Sequence, residues 1–424
     1  MSRSLTIAII GCGTAGLAAA LLLERAGHKV TLVERFSEPQ PLGSGLILQP
    51  SGLAVLDALG LAVPLIATGS RIDRLFGLNA VTGSVVLDVH YAAMKRERFG
   101  VGIHRAALFE TLFAAVQMRP VAIDTGVEVG DINAADDGKV TLLDASGRRI
   151  GPFDLVVDAS GTRSPLLGHA AKPAARVPLS YGALWANVPL AGTGFDRHAL
   201  EQRYRRASVM VGVLPIGCQG GEPEPQAALF WSLKADALDA WRSAGLAAWK
   251  GEVERVWPAT APLLAHITEP AQLTFANYRH QTLPLPYGRR IAFIGDAAHS
   301  TSPQLGQGAN MALLDAYALA VALDQAADLD AALLRYAQLR RWHVRLYQAA
   351  SRMFTPFYQS DSAVLPLIRD RVVPPLARLP GIDRMLALLV SGLIGDPLRR
   401  LGLKEPAIAA ESDRPALAGE GAER

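Results

Sequence analysis

Asp296, Gly306, Gly308 and Asn310 form the pattern with the most chemistry in this 424-residue chain. They lie in IAFIGDAAHSTSPQLGQGANMALLD, residues 291–315, where an apolar run ends in Gly-Asp and a glycine-rich loop feeds a helix. Such a run suits a buried parallel strand, which delivers Asp296 to the carboxyl edge of a sheet, the edge at which ligands bind. A carboxylate there accepts hydrogen bonds from sugar or polyol hydroxyls. Gly306 and Gly308 let a planar ligand touch backbone amides, and a helix beginning near Asn310 aims its positive end at that ligand. Negative charge developing on the ligand would be stabilised.

A second constellation opens the chain. Residues 5–34, LTIAIIGCGTAGLAAALLLERAGHKVTLVE, read as a strand, a Gly11-x-Gly13-x-x-Gly16 turn, an Ala- and Leu-rich helix, and a second strand ending in Glu34. Gly11 allows the tight turn, Gly13 lets a pyrophosphate approach the backbone, and Gly16 lets the helix pack closely on the sheet. Glu34 can accept the ribose hydroxyls, and an acid there favours a ribose without a 2′-phosphate. This unit announces a dinucleotide without separating NAD from FAD. No second GxGxxG and no Cys-x-x-Cys accompany it, which argues against the two-nucleotide disulfide reductases.

Composition sets the frame for these motifs. Half of the residues are hydrophobic, enough for a large core over two or three structural units. The net charge of +3 comes from dispersed Lys and Arg, so nothing points to nucleic acid. Two cysteines, Cys12 and Cys218, exclude a disulfide framework or a Cys-rich metal site, and no metal-ligand spacing stands out. MSRSLTIAII looks like a signal peptide only superficially, because its apolar run continues straight into the glycine turn. The cytoplasm is the expected compartment. Met385–Ile394 is too short to span a bilayer and reads as a core or interface helix, so no membrane contact is expected. No oligomeric state is specified.

A third segment, FDLVVDASGTRSPLLG at 153–168, is another buried strand entering a small-residue turn. Taken in order, GCGTAG with Glu34, DASGTRS and GDAAHSTSPQLGQGAN, joined by GSGLILQPSGLAVLDALGL at 43–61 and GIHRAALFETL at 102–112, the chain resembles the FAD-dependent monooxygenases of the para-hydroxybenzoate hydroxylase type. The resemblance covers about the first 350 residues. It implies an α/β fold: a Rossmann-like FAD-binding domain with an inserted antiparallel β-sheet substrate domain and C-terminal helices. The FAD domain would be discontinuous, over 1–75, 98–172 and 280–330, with the substrate domain at 76–97 and 173–279. Residues 76–97 read as a hairpin turning at Thr82-Gly83. Residues 331–404 read as a helical segment broken by prolines, 217–226 as a turn or loop, and 405–424 as a disordered tail.

The resemblance also implies roles. Gly11, Gly13, Thr14, Ala15 and Gly16 would surround the pyrophosphate, Glu34 the ribose and Arg35 the adenine end, with Val129 offering backbone to the adenine. Arg105 would stand beside the flavin, Asp296 would hold the ribityl chain, and the backbone from Gly306 through Gly308 and Ala309 to Asn310 would face the pyrimidine edge. Pro303 would lie near the reacting face, and Trp231, Tyr204 and Tyr358 are candidates for an aromatic substrate pocket. His299 is read as structural and Cys12 as a small packing residue.

The implied reaction is reduction of FAD by NADH or NADPH acting as a transient reductant, addition of oxygen to give a flavin C(4a)-hydroperoxide, and hydroxylation of a small aromatic or heteroaromatic substrate. No catalytic base is assigned. The chain departs from the family at Ser160, where an acid is common, and at Leu314, where an acidic pair is frequent. A flavin-dependent halogenase, an isoprenoid double-bond reductase and a non-catalytic flavin-binding protein remain alternatives, although the halogenase Trp-x-Trp segment is absent.

Overall fold

A computed structural model describes residues 4–40, 43–94, 96–135, 138–218, 224–377 and 379–406. The first strand, Thr6–Ile10, is buried from Ile7 onward and pairs in parallel with Lys29–Val33 on one side and Leu155–Asp158 on the other. Ala122–Asp124 extends the sheet beyond Lys29–Val33, and Ile291–Phe293 beyond Leu155–Asp158. The short strand Tyr287–Gly288 closes that edge, making six strands. The central strands, buried on both faces, need continuous apolar runs, and residues 7–10, 155–157 and 291–293 supply them. Their carboxyl ends bring the glycine turn at 11–16, the Asp158 turn and the Gly295 turn to one rim.

Helix Thr14–Arg25 is built from Ala and Leu, which favour helix and bury without polar cost, and Ala15–Leu23 are all buried. It packs against helix Gly308–Gln325 and helix Arg105–Gln117 in the largest core cluster. The apolar faces of these helices join the two ends of the cofactor region through a single core.

A second sheet has seven strands, ordered Thr274–Ala276, Tyr181–Pro189, Gln226–Lys234, Val209–Gly217, Ala199–Arg205, Arg74–Asn79 and Val85–His90. It is antiparallel except where Ala199–Arg205 runs parallel to Arg74–Asn79. The last two strands form the hairpin around Gly83, whose φ is +69°. Side chains alternate across the sheet. Leu184, Val211, Val213, Leu229 and Trp231 face helix Leu238–Val256, where Trp249 and Val253 complete a core. Trp185, Tyr204, Met210, Leu214 and Phe230 face the other way.

The C-terminal region is helical: Leu329–Tyr358, Leu365–Ala377 and Ile382–Val390. Most of the expected proline breaks do not occur: Pro356 lies inside the first helix near its end, and Pro366, Pro374 and Pro375 lie inside the second, Pro366 in its first turn, where proline is tolerated. The tail expected to be disordered from 405 begins with a fixed residue: both carboxylate oxygens of Glu405 accept from Arg98, at 2.6 and 2.7 Å. Residues 407–424 lie outside the described residues, as do 219–223 of the expected loop at 217–226. Among the described residues no helix is long and apolar enough to cross a membrane.

Candidate functional site

The glycine turn is explained by what a side chain would meet. Gly11 has φ +100°, and a Cβ on Gly16 would lie 1.9 Å from the Gly11 carbonyl oxygen, so the helix starts against the turn itself. A Cβ on Gly13 would meet nothing within 4 Å. Gly13 also caps the helix with no side-chain hydrogen bond, leaving the first amides at Thr14 and Ala15 available to an anion in open space. Glu34, 8% exposed, accepts from the Cys12 amide at 2.8 Å and the Phe36 amide at 3.1 Å. These bonds fix the carboxylate and leave lone pairs for sugar hydroxyls. Arg35 is exposed and lies over the Phe36 ring at 4.5 Å. Val129 is buried beside Ile10 and Val33, at the same end of the sheet. Burial and the neighbouring Glu34 push the Cys12 thiol up to about 12, which makes it inert.

Ser160 has a partner that the sequence did not disclose. Its hydroxyl donates to Asp158 Oδ1 at 2.6 Å and its amide to the same oxygen at 3.0 Å, while Ser164 donates to Oδ2. Burial raises the Asp158 carboxyl, against the effect of these donors. The turn beside Gly11 is thus held by a buried carboxylate one strand away.

At the other end, Asp296 is exposed along a cavity of about 820 Å³. Protein surrounds it closely enough that the shortage of water raises its carboxyl, against the pull of His299 and Arg105. Arg105 lines the same cavity and passes Gly43 so closely that a Cβ there would be 3.1 Å from its Nε. His299 does not reach the cavity chemistry. Its Nε2 lies 2.6 Å from Asp315 Oδ2, which also accepts from the Gly295 amide at 2.8 Å, and Arg340 Nε donates to Asp315 Oδ1 at 2.6 Å. Burial alone would raise the Asp315 carboxyl, but His299 and Arg340 outweigh it and hold it at about 2. The Leu314 departure is explained here, for Leu314 is a fully buried core residue and Asp315 alone carries the charge.

The loop that follows is tied on several sides. Ser302 shares hydroxyl bonds with Ser351 at 3.0 Å and Thr355 at 2.6 Å, and Gln307 Nε2 donates to the Val390 carbonyl at 2.5 Å. Gly306 is left-handed at φ +60°, and the helix begins at Gly308, two residues before the expected start. Gly306, Gln307, Gly308 and Ala309 line the cavity. Asn310 does not. It is fully buried, accepts from the Gln49 amide at 2.8 Å and donates to the Ile47 and Gly306 carbonyls at 3.0 Å. Its amide serves as a clamp, because three backbone groups already consume it.

Pro303, Tyr204 and Tyr358 also line the cavity, but Trp231 must be corrected. One residue of alternation turns Trp231 to the far face, into the core with Trp249, and its neighbour Phe230 takes the cavity side instead. Phe230 pairs with Trp185 across the strands, with ring centroids 4.7 Å apart, and Trp185 Nε1 donates to the Tyr278 hydroxyl at 3.0 Å. Sequence reasoning missed Trp185 and Phe230. The alternation of each strand was readable, yet which parity faces inward depends on helix Leu238–Val256 covering the other side.

These residues fit FAD on two independent grounds. The Gly13 space with its uncapped amides suits a pyrophosphate, and the flavin end keeps unpaired polar atoms, Gln304 Nε2 and Gln307 Oε1 in the loop and Gln49 Nε2 before helix Pro50–Ala58, near an exposed carboxylate and an arginine that line the same cavity. Comparison with known proteins agrees. A family model described as an FAD binding domain matches residues 4–349. The chain is 28% identical over 344 residues to 3-amino-4-hydroxybenzoate 2-monooxygenase of Streptomyces cremeus, covering 76% of this chain and 80% of that one. It is 27% identical over 408 residues to aurachin C monooxygenase/isomerase of Stigmatella aurantiaca, covering 94% and 100%. In fold it is similar to the tetrameric form of 2-methyl-3-hydroxypyridine-5-carboxylic acid oxygenase, with TM-score 0.75, 22% identity and coverage of 94% and 98%. The halogenase, double-bond reductase and non-catalytic alternatives receive no support from these relatives. With its glycine turn, its ribose acid and its flavin-end loop in the order that such a cofactor requires, the chain belongs to the FAD-binding-domain family and is an FAD-dependent oxidoreductase of the monooxygenase type.

Proposed function

We propose that this chain hydroxylates a small aromatic or heteroaromatic compound, using molecular oxygen and NADH or NADPH as a transient reductant. One observation carries the reading: the Gly306–Ala309 loop, Asp296, Arg105 and Pro303 share a single cavity of about 820 Å³ with an aromatic wall of Trp185, Phe230, Tyr204 and Tyr358. Bound FAD supplies the redox chemistry and the activation of oxygen. The protein's own residues orient and protect. Asp296 would hold the ribityl hydroxyls, and Arg105 would lie alongside. The amino end of helix Gly308–Gln325 would stabilise negative charge on the flavin's pyrimidine edge. The rings of Trp185 and Phe230 would hold a planar substrate opposite Pro303, and the apolar lining of Met210, Leu214 and Leu386 would keep water from the reaction. The cytoplasm, which supplies NADH and NADPH, is the compartment that suits this chemistry.

The test is direct. The purified protein should carry FAD and oxidise NADH or NADPH with oxygen uptake stimulated by one member of a panel of phenols, hydroxyquinolines and hydroxypyridines, yielding a product heavier by one oxygen atom. Oxidation that no aromatic compound stimulates, or turnover without oxygen incorporation, would overturn the reading.

A further inference from the structure

Helix Leu329–Tyr358 packs against helix Gly308–Gln325 with one face, burying Tyr336, Ala337, Val344 and Tyr347, and turns the other outward. The outward face repeats one pair of residues: Arg341-Trp342, Arg345-Leu346 and Arg352-Met353, all six exposed. At the helical repeat, spacings of four and seven set the arginines in one row and the apolar side chains in a second row beside it, over roughly 17 Å. Trp342 is 68% exposed, Leu346 37% and Met353 58%. Leu334 and Arg335, also exposed, add the same two chemistries nearer the amino end.

No acid answers these arginines. From Ala331 to Tyr358 the helix holds no Asp or Glu, and Arg340 is turned inward to Asp315. Among the described residues, Arg335, Arg341, Arg345 and Arg352 make no ion pair with Asp324, Asp328 or Asp330 near the amino end of the helix, or with Asp383 on helix Ile382–Val390. Asp361, just beyond the carboxyl end, is taken by Lys234 and Tyr181. A solvated helix face places acids within a turn of its arginines, whereas this one places large apolar groups there.

The two rows together select their partner. A second copy of this chain on a two-fold axis would set this face against itself, with no acid to meet the arginines. A nucleic acid would satisfy the arginines and leave Trp342, Leu346 and Met353 wet. A bilayer surface carrying anionic lipids meets both rows, since its head groups take the arginines and its acyl boundary takes the apolar side chains, tryptophan above all. Met385–Ile394 is too short to span, but a helix lying in the interface needs an apolar face rather than a long apolar run.

We propose that the outward face of helix Leu329–Tyr358 docks on an anionic membrane surface, lying in its plane without crossing it. The apolar row ends at Met353, which also lines the cavity, so docking brings an edge of the cavity to the lipid. The docking stands apart from the hydroxylase reading and is measured without turnover.

The flavin-loaded full chain is sedimented with vesicles of phosphatidylcholine alone and of phosphatidylcholine mixed equally with phosphatidylglycerol. Each arginine near an anionic surface contributes about fivefold, so the mixed vesicles should bind about a hundredfold tighter. High salt should remove that preference. Arg341→Gln combined with Arg345→Gln should weaken binding to the mixed vesicles about twenty-fivefold with flavin content unchanged. On those vesicles the tryptophan emission should shift to the blue, and Trp342→Phe, which keeps an apolar ring, should abolish the shift and keep the binding. Equal affinity for the two vesicles, no binding, binding unaltered by the paired arginine change, or a blue shift that survives Trp342→Phe would overturn the proposal. So would single-stranded RNA that binds tighter than the mixed vesicles, or a dimer in solution that Trp342→Glu dissociates.

Discussion

The glycine turn at 11–16 and the aromatic wall around Trp185 and Phe230 are built by opposite means. The turn is local: six consecutive residues and Glu34 carry its geometry, and each glycine answers to a neighbouring backbone atom or to open space. The wall is assembled from strands far apart in the chain and from helices that follow them, and a single step of alternation decides whether a tryptophan meets ligand or core.

The largest effect that could sharpen this contrast is expected at Gly16. Gly16→Ala drives a Cβ to 1.9 Å from the Gly11 carbonyl, so the helix must move away from the turn, and both bound flavin and the thermal midpoint should fall steeply. Retention of full flavin absorbance in that variant would break the account of the turn. Next, Trp231→Ala should cost about 3–5 kcal/mol in denaturant unfolding with flavin and ligand affinity largely kept, because it empties a core position. Trp185→Ala should do the reverse and weaken aromatic ligand binding with a small loss of stability. If the two phenotypes were exchanged, the assignment of the sheet's faces would be inverted.

Acid stability gives a smaller effect with a definite sign. Burial and the adjacent Arg340 hold the His343 imidazole down at about 3, and its ordinary value is 6.5. Between these values the unfolded chain binds a proton that the folded chain does not, so stability falls as pH drops from 6.5 toward 3. Asp315 adds a second loss from its ordinary 3.8 down to about 2, as protonation removes the partner of His299 and Arg340. His343→Gln should flatten the decline of the thermal midpoint above pH 4, a change of order a few kcal/mol in unfolding free energy. An unaltered slope would remove His343 from the explanation. Smallest of all, Cys12 should stay unmodified by a thiol reagent at pH 8 in the folded protein, read by peptide mass, since its thiol is held at about 12.

Legibility in the sequence follows the same division. GCGTAG, Glu34 and the Gly-Asp loop could be read because the backbone itself makes the site, and local spacing encodes local backbone. Asn310 was legible as a position but not in function, since its partners at Ile47 and Gln49 arrive from far upstream. Trp231 was misplaced because hydrophobic alternation gives two faces without saying which one a helix will cover. Arg369 gave no signal at all: an arginine in the run Arg369-Asp370-Arg371 resembles a solvated residue until Tyr204, Tyr358 and Asp370 close around it.

The stapling of residues 295–310 has a consequence for rate. Asp315 holds the Gly295 amide, Ser302 is bound to the helix Leu329–Tyr358, and Gln307 is bound to Val390, so the dipoles between them are aligned before any ligand arrives. Dipoles already aligned have no reorganisation energy left to spend when charge appears. The barrier that water would raise by turning its own dipoles has, in this loop, been crossed once and for all during folding.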